Sequence, residues 1–336
     1  MKRRHAWLLC AWLAFPALAT RQVVDDAGHT VTVPDKVNAI ADGWFAHHSV
    51  LMTLGAGSQI VATVNHPESQ PWMFKITPTL HQALQVRGTT FNPESLLAKR
   101  VDVVFTSKGN DKAEGYRQAG LPTLEMAFTD YPSLMKSVTT TADVLGTADA
   151  RGRAKAYNQY LQSVLDDVQR KTQNLTSTQR PRVLHIQSLK PLKVDGSHTL
   201  IDTWIKLAGG ENAAAEIKGN MKEVSPEQVL AWQPDIIILG AHSGTLADSP
   251  YAELFSGLKA VKNGMVLQNP AGVFPWDRYG TESALQIQWA AKMLHPQRFK
   301  GVDIAKITQD FYQRFFDYSL TVDEAQRILH ALPPAD

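Results

Sequence analysis

The stretch Asn92-Pro93-Glu94-Ser95-Leu96-Leu97-Ala98-Lys99-Arg100-Val101-Asp102-Val103-Val104 returns in altered form as Ser225-Pro226-Glu227-Gln228-Val229-Leu230-Ala231-Trp232-Gln233-Pro234-Asp235-Ile236-Ile237. Each copy opens with a residue able to cap a helix and continues with proline at the first helical position, where a backbone N–H has no helical partner. An acid follows, and each copy ends in an apolar strand. From 92 to 225 the offset is 133 residues. Solenoid repeats recur about every 20 to 50 residues, so a helix-to-strand unit repeated once at this distance predicts two lobes of similar topology.

Outward from the two copies, short apolar runs alternate with helical stretches, the pattern of βα units around parallel sheets. In the first half the runs are 39–41, 60–64, 101–106 and 122–126, after a small hairpin spanning 23–34 with a turn at Gly28. In the second half they are 182–186, 235–239 and 265–268. Between the halves, residues 147–175 contain no proline. Ala150, Ala154, Tyr157, Leu161, Val164 or Leu165, and Val168 recur there three or four apart, the apolar stripe of one long helix. At about 1.5 Å per residue it would span roughly 40 Å. The expected organisation is a signal peptide at 1–19, an N-terminal lobe at 20–146, a bridging helix at 147–175 and a C-terminal lobe at 176–336. Apolar residues at 311–316 and 320–332 read as core-facing stripes of C-terminal helices.

The first residues carry a basic start at Lys2, Arg3 and Arg4, an apolar run from Ala6 to Phe15, and the small-x-small site Ala17-Leu18-Ala19. That is the layout of a secretory signal cleaved near Ala19, with Pro16 ending the run short of a membrane span. Cys10 is the one cysteine and lies in that segment, so the expected mature chain has no thiol for a disulfide, a zinc thiolate or a nucleophile. Removing the three leading charges from the 34 Lys and Arg leaves 31 against 32 acidic residues, a formal charge of −1. Nothing in that balance points to nucleic acid or a membrane surface. The length exceeds what a single core usually supports, again favouring two lobes.

These pieces together resemble the periplasmic solute-binding proteins of ABC importers for iron-siderophores, haem and cobalamin, in which a single long helix joins two α/β lobes around a ligand cleft. The residues that carry the resemblance are Asp25-Asp26-Ala27-Gly28-His29 with Val31 and Val33-Pro34, Leu54-Gly55-Ala56-Gly57, and the paired Asn92-Pro93-Glu94 and Ser225-Pro226-Glu227. Gly209-Gly210-Glu211-Asn212 and Trp289-Ala290-Ala291-Lys292-Met293-Leu294-His295-Pro296 with Phe299 extend it over nearly the whole mature chain. The resemblance implies a monomeric periplasmic receptor that captures a metal chelate, a ferric siderophore first among them, and delivers it to an inner-membrane permease. It implies no resident cofactor. Glu94 and Glu227 would then form salt bridges to permease arginines, one per lobe; the plainer reading is that each acid complements its helix dipole.

Ligands of open α/β sheets bind beyond the carboxyl ends of the strands. That rule selects the segments 44–48, 65–66, 107–108 and 128–131 in the first lobe, and 187–190, 242–243 and 274–279 in the second. From these, Trp44, His47, His48, His66, Lys108, His242, Trp276, Arg278 and Tyr279 are the candidate ligand contacts, their aromatic and cationic character suiting a flat, partly anionic ligand. Trp276 could instead pack the base of its lobe, and His47 and His48 could lie half solvated in a helix over 46–54. Met221 is a further pocket candidate. His29, His185, His198, His295 and His330 are scattered, with no pair at the spacing of a helical metal site, and read as structural or solvated. No metal ligands are assigned.

Two other functions compete. A bare-metal receptor needs three or four converging His, Asp or Glu ligands, and no His-rich loop supplies them; haem, cobalamin or a nickel chelate remain open as ligands. A periplasmic enzyme would be expected to carry a recognisable catalytic motif. The sequence has no G-x-S-x-G, G-x-x-x-x-G-K-[ST], H-E-x-x-H or G-x-G-x-x-G, so a binding protein rather than an enzyme is expected.

Overall fold

The computed structural model describes residues 19–335; the expected signal peptide, apart from Ala19, lies outside them. Two α/β lobes are joined by one long helix. In the first lobe, β1 (Thr20–Val24) and β2 (Thr30–Pro34) form an antiparallel hairpin. A parallel sheet follows, of β3 (Ile40–Asp42), β4 (Ile60–Thr63), β5 (Leu84–Gln85), β6 (Val103–Ser107) and β7 (Thr123–Met126), in the order β5-β4-β3-β6-β7. Its helices are α1 (His47–Thr53), α2 (Pro71–Ile76), α3 (Pro93–Ala98), α4 (Ala113–Gln118) and α5 (Tyr131–Leu145). The long helix is α6 (Ala148–Thr172).

The second lobe is built on β8 (Arg182–Leu189), β9 (Leu192–Val194), β10 (Glu211–Asn212), β11 (Lys222–Glu223), β12 (Ile236–Leu239) and β13 (Val266–Gln268). The order is β11-β9-β8-β12-β13, with β10 also pairing β8. The ladders joining β8, β10, β12 and β13 are parallel, whereas β9 and β11 are antiparallel additions to one side. Helices α7 (Leu200–Leu207), α8 (Pro226–Trp232), α9 (Ala252–Phe255), α10 (Lys259–Lys262), α11 (Ser283–Leu294), α12 (Ile304–Phe315) and α13 (Val322–Leu329) complete it. No helix among the described residues is long and apolar enough to cross a membrane.

The two copies of the repeat fold alike down to single backbone angles. The Asn92 side chain accepts the Ser95 N–H and the Ser225 side chain accepts the Gln228 N–H, each with proline next in line. Arg100 and Gln233, which correspond at the offset of 133, end the two units in the left-handed region at φ 53° and 42°. Asp102 and Asp235 then play one role. Asp102 accepts the N–H groups of Asn38 and Ala39 ahead of β3, and Asp235 accepts that of Arg182 at the start of β8. Strand β6 beside β3 and β12 beside β8 are therefore the same unit twice.

Helix α6 buries the stripe its periodicity announces, Ala150, Ala154, Tyr157, Leu161, Val164 and Val168, and one turn further Thr172. Its 25 residues span about 37 Å. Because one apolar cluster runs from Val50 and Leu51 of the first lobe through Tyr157 and Leu161 to Trp204, Leu285 and Phe311 of the second, the lobes share a core. The polar counterpart lies at Thr281. Tyr157 donates its hydroxyl to the Thr281 carbonyl at 2.6 Å, the Thr281 N–H donates to Ser49 Oγ at 3.1 Å, and the Thr281 and Thr53 hydroxyls meet at 2.9 Å. α1, α6 and the segment leading into α11 are thus tied at one residue. At the chain's end, the Trp72 indole N–H donates to the Leu332 carbonyl at 3.0 Å, and Lys75 pairs with Glu324 at 3.3 Å, a second tie between the lobes.

Replacing Tyr157 with Phe leaves the buried Thr281 carbonyl without its donor. A loss of about 1 to 3 kcal/mol in unfolding free energy is expected, the range for an orphaned buried acceptor. Urea titration of both proteins measures it, and an unchanged midpoint would show that the bond is not a clamp.

Candidate functional site

The candidate ligand-contact residues stand on segments that follow parallel strands of the two lobes. After β3 the chain turns at Gly43, whose N–H donates to the Phe105 carbonyl at 2.8 Å; a Cβ there would meet that oxygen at 3.1 Å. Asp42, fully buried, accepts the Trp44 N–H at 3.1 Å and bonds His47 Nδ1 at 2.9 Å. The other nitrogen of His47 meets the Thr141 hydroxyl at 3.0 Å, and His48 is held between the Trp44 carbonyl at 3.0 Å and the Thr63 hydroxyl at 2.7 Å. Both histidines belong to α1 as expected, yet neither is half solvated. They are wholly buried, because the helix starts directly under the loop and its first turn faces the sheet. Burial lowers the pKa of His48 against the opposing pull of Asp42, which favours the neutral ring. The pair holds the loop on which Trp44 stands. The half-buried Trp44 indole lies parallel to His47, with ring centroids 6.4 Å apart, and 5.2 Å from the Phe128 ring.

His66 turns away to the Val86 carbonyl at 2.8 Å. Lys108 is exposed and makes no ion pair among the described residues. His242 follows β12 and is exposed; it lines a cavity of about 190 Å³ shared with Glu68, Trp72 and Leu332, separate from the aromatic group around Trp44.

On the second lobe, the segment between β13 and α11 is held from inside. Trp276 is fully buried, its indole N–H donating to Glu282 at 2.8 Å. The Phe274 N–H and the Tyr312 hydroxyl donate to the same carboxyl. Burial pushes Glu282 up to about 7, against the lowering effect of these donors. Trp276 therefore packs the base of its lobe, and the side chains that reach the boundary are its neighbours Arg278 and Tyr279, each half-buried. The Tyr279 ring touches Phe128 of the first lobe, centroids 5.8 Å apart, and its hydroxyl meets the Asn220 amide. The Arg278 guanidinium lies over the Tyr279 ring at 5.6 Å. Trp44, Phe128, Tyr279 and Arg278 thus form one row across the lobe boundary.

Behind Arg278 stands a charged chain absent from the sequence-based expectations. Arg278 donates to Gln187 at 3.2 Å and to Asp195 at 3.2 Å. Asp195 also accepts the Met221 N–H at 2.9 Å and bonds His185 Nδ1 at 2.8 Å, while His185 Nε2 meets Asp277 at 2.6 Å. Gly196 makes this possible: a Cβ there would sit 2.0 Å from the Ile217 carbonyl oxygen. Burial alone would lower the pKa of His185, but its hydrogen bonds to Asp195 and Asp277 and their charges raise it from 6.5 to about 9. Burial would raise Asp195, and the bond and charge of His185, aided by Arg278, bring it down to about 2. Of the scattered histidines, His185 is wholly buried; its two carboxylate partners lie 10 and 92 residues away, and no local pattern announces them.

Asp25, His29 and Glu125 also bring ligand atoms within 4.8 Å of one another. Asp25 already accepts the N–H groups of Ala27, His29 and Glu125, and Arg117 covers Glu125 at 2.8 Å. That donor set braces the hairpin on β7.

A folded-state pKa above the unfolded one means that the His185 pairing contributes fully below pH 6.5 and is lost as pH rises through about 9. For Asp195, lowered from 3.8 to about 2, stability is present above 3.8 and lost as pH falls through 2. Thermal unfolding followed from pH 6 to 10 should show the midpoint falling above pH 6.5, and His185→Gln should flatten that fall. An equal slope in both proteins would sink the assignment.

Comparison with known proteins agrees with this architecture. The profile of the family described as periplasmic binding protein matches residues 51–271. The molybdate-binding protein MolA of Haemophilus influenzae is 27% identical over 97% of this chain and 100% of its own length. A vitamin B12-binding protein of Yersinia pestis is 23% identical over 73% of this chain and 77% of its own. The solved structure of Haemophilus influenzae MolA bound to molybdate superposes with a TM-score of 0.80 at 22% identity, covering 90% of this chain and 99% of that one. With the family profile spanning well over half of the residues and two lobes joined by a long helix, the chain belongs to the periplasmic binding protein family.

Proposed function

We propose that this protein is the periplasmic substrate-binding component of an ABC importer, and that its ligand is a small anionic metal species of the molybdate kind, held at the lobe boundary beside Arg278. The contact between Phe128 and Tyr279 carries the choice of size. Ring centroids 5.8 Å apart leave no space between these faces for a flat macrocycle or a bulky chelate, whereas a compact oxyanion needs only directed donors. Arg278, Tyr279 and the Asn220 amide supply them. The full-length likeness to a molybdate-binding relative supports the same reading. A ferric siderophore, the ligand that the resemblance implies, would require the Phe128–Tyr279 contact to open. Capture and delivery, not turnover, is the role that two pseudo-equivalent lobes fit.

Export is read from the leader ending near Ala19, and monomeric action from the self-contained pair of lobes. Delivery is read from Glu94 and Glu227, exposed at equivalent positions of α3 and α8. Reversing both charges, with Glu94→Lys and Glu227→Lys, should abolish uptake in cells while leaving ligand affinity unchanged; surviving uptake would remove them from the docking surface. Calorimetric titration of the mature protein with molybdate, a ferric catecholate chelate and cobalamin decides the ligand. Stoichiometric heat with molybdate is expected. Heat with the ferric chelate and none with molybdate would replace the oxyanion by the chelate.

A further inference from the structure

We infer that Asp195 and His185 are positioning residues of the cleft: His185, fixed between two buried carboxylates, aims Asp195, and Asp195 in turn sets both the Arg278 guanidinium and the Met221 backbone where the lobes meet. The inference rests on the proposed reading of this cleft as an anion site. It starts from an arrangement that packing alone does not require. Asp195 is wholly buried and spends one oxygen on the Met221 N–H at 2.9 Å and on Arg278 at 3.2 Å, the other on His185 at 2.8 Å. Its geometry is therefore transmitted to two segments, Asn220-Met221 and Arg278-Tyr279, which are themselves joined through the Asn220 amide and the Tyr279 hydroxyl.

The chain is also a charge device. The charged groups facing His185 are Asp195 and Asp277, with the Trp204 ring edge-on at 5.9 Å; those facing Asp195 are His185 and Arg278. With His185 protonated, two cations and two anions balance. The site then holds an anion through aimed N–H groups rather than through surplus positive charge, which favours a ligand whose acceptors match the donors. Once His185 loses its proton the group carries a net negative charge next to Arg278, and an anion is repelled. The elevated pKa of His185 puts that change well above neutrality, in a range where molybdate itself does not titrate.

The test is calorimetric titration with sodium molybdate from pH 7 to 10, on the wild-type protein, His185→Gln and Asp195→Asn, with circular dichroism to verify folding. The wild-type affinity should fall about tenfold across that range, the scale of one unit charge appearing several ångströms from the ligand in a partly screened site. The fall should be absent in His185→Gln. Asp195→Asn removes a negative charge, which taken alone would strengthen anion binding. Binding at pH 7 weaker by about tenfold or more, expected of the folded variant, therefore reports the lost aiming of Arg278 and Met221 rather than the charge. A flat wild-type profile overturns the inference, and so does a folded Asp195→Asn that binds like wild type. Should Asp195→Asn fail to fold, the wild-type and His185→Gln profiles decide alone. Absence of molybdate binding by the wild-type protein would overturn the functional reading instead, a result distinct from binding that ignores Asp195.

Discussion

The hydrogen bond from Tyr157 to the Thr281 carbonyl is the constraint on which the cleft depends. Tyr157 belongs to the bridging helix, Thr281 to the second lobe, and Ser49 and Thr53 bring the first lobe to the same point. Thr281 stands two residues beyond Tyr279 and three beyond Arg278, so fixing it fixes the approach of Tyr279 to Phe128 and the place of Arg278 beside it. Just beyond it, Glu282 holds Phe274 and Trp276 from within the lobe. A segment gripped on both sides has little freedom to tilt. These bonds lie in surroundings without solvent, where a satisfied polar network specifies one arrangement and an incomplete one is costly.

The shared core works in the same direction. Lobes connected only by a flexible strand could swing widely, but here α6 buries one face against both, and the tail beyond α13 adds the Trp72–Leu332 tie. A core shared in this way favours small sliding of packed side chains over a wide hinge motion. The row from Trp44 through Phe128 to Tyr279 is accordingly formed by contacts within the protein itself.

How much of this was legible in the sequence follows from how local each cause is. The duplicated unit could be read because caps, proline and the following strand act within a dozen residues, and α6 because its stripe repeats over seven turns. The turn-sized strands β9, β10 and β11 are too short for any period to register. Arg278, Tyr279 and Trp44 stand together at the lobe boundary, in segments that their place after strands singles out. His47, His48 and Trp276 were placed in the right segments but with the wrong exposure, since which side of a loop faces the sheet is decided by what packs behind it. Asp195 escaped altogether. Its partners lie 10, 26 and 83 residues away, and only the folded chain brings them together.

The setting of Trp44 has an optical consequence. Of the six tryptophans in the described residues, Trp72, Trp204, Trp232, Trp276 and Trp289 are sealed in the interior, and Trp44 alone is partly open to solvent. Among these six, any long-wavelength shoulder in the emission spectrum, and any part of the fluorescence reached by a water-soluble quencher such as iodide, therefore comes from Trp44. Trp44 stands in the row of side chains at the lobe boundary, so a molecule bound there would be reported at a single point.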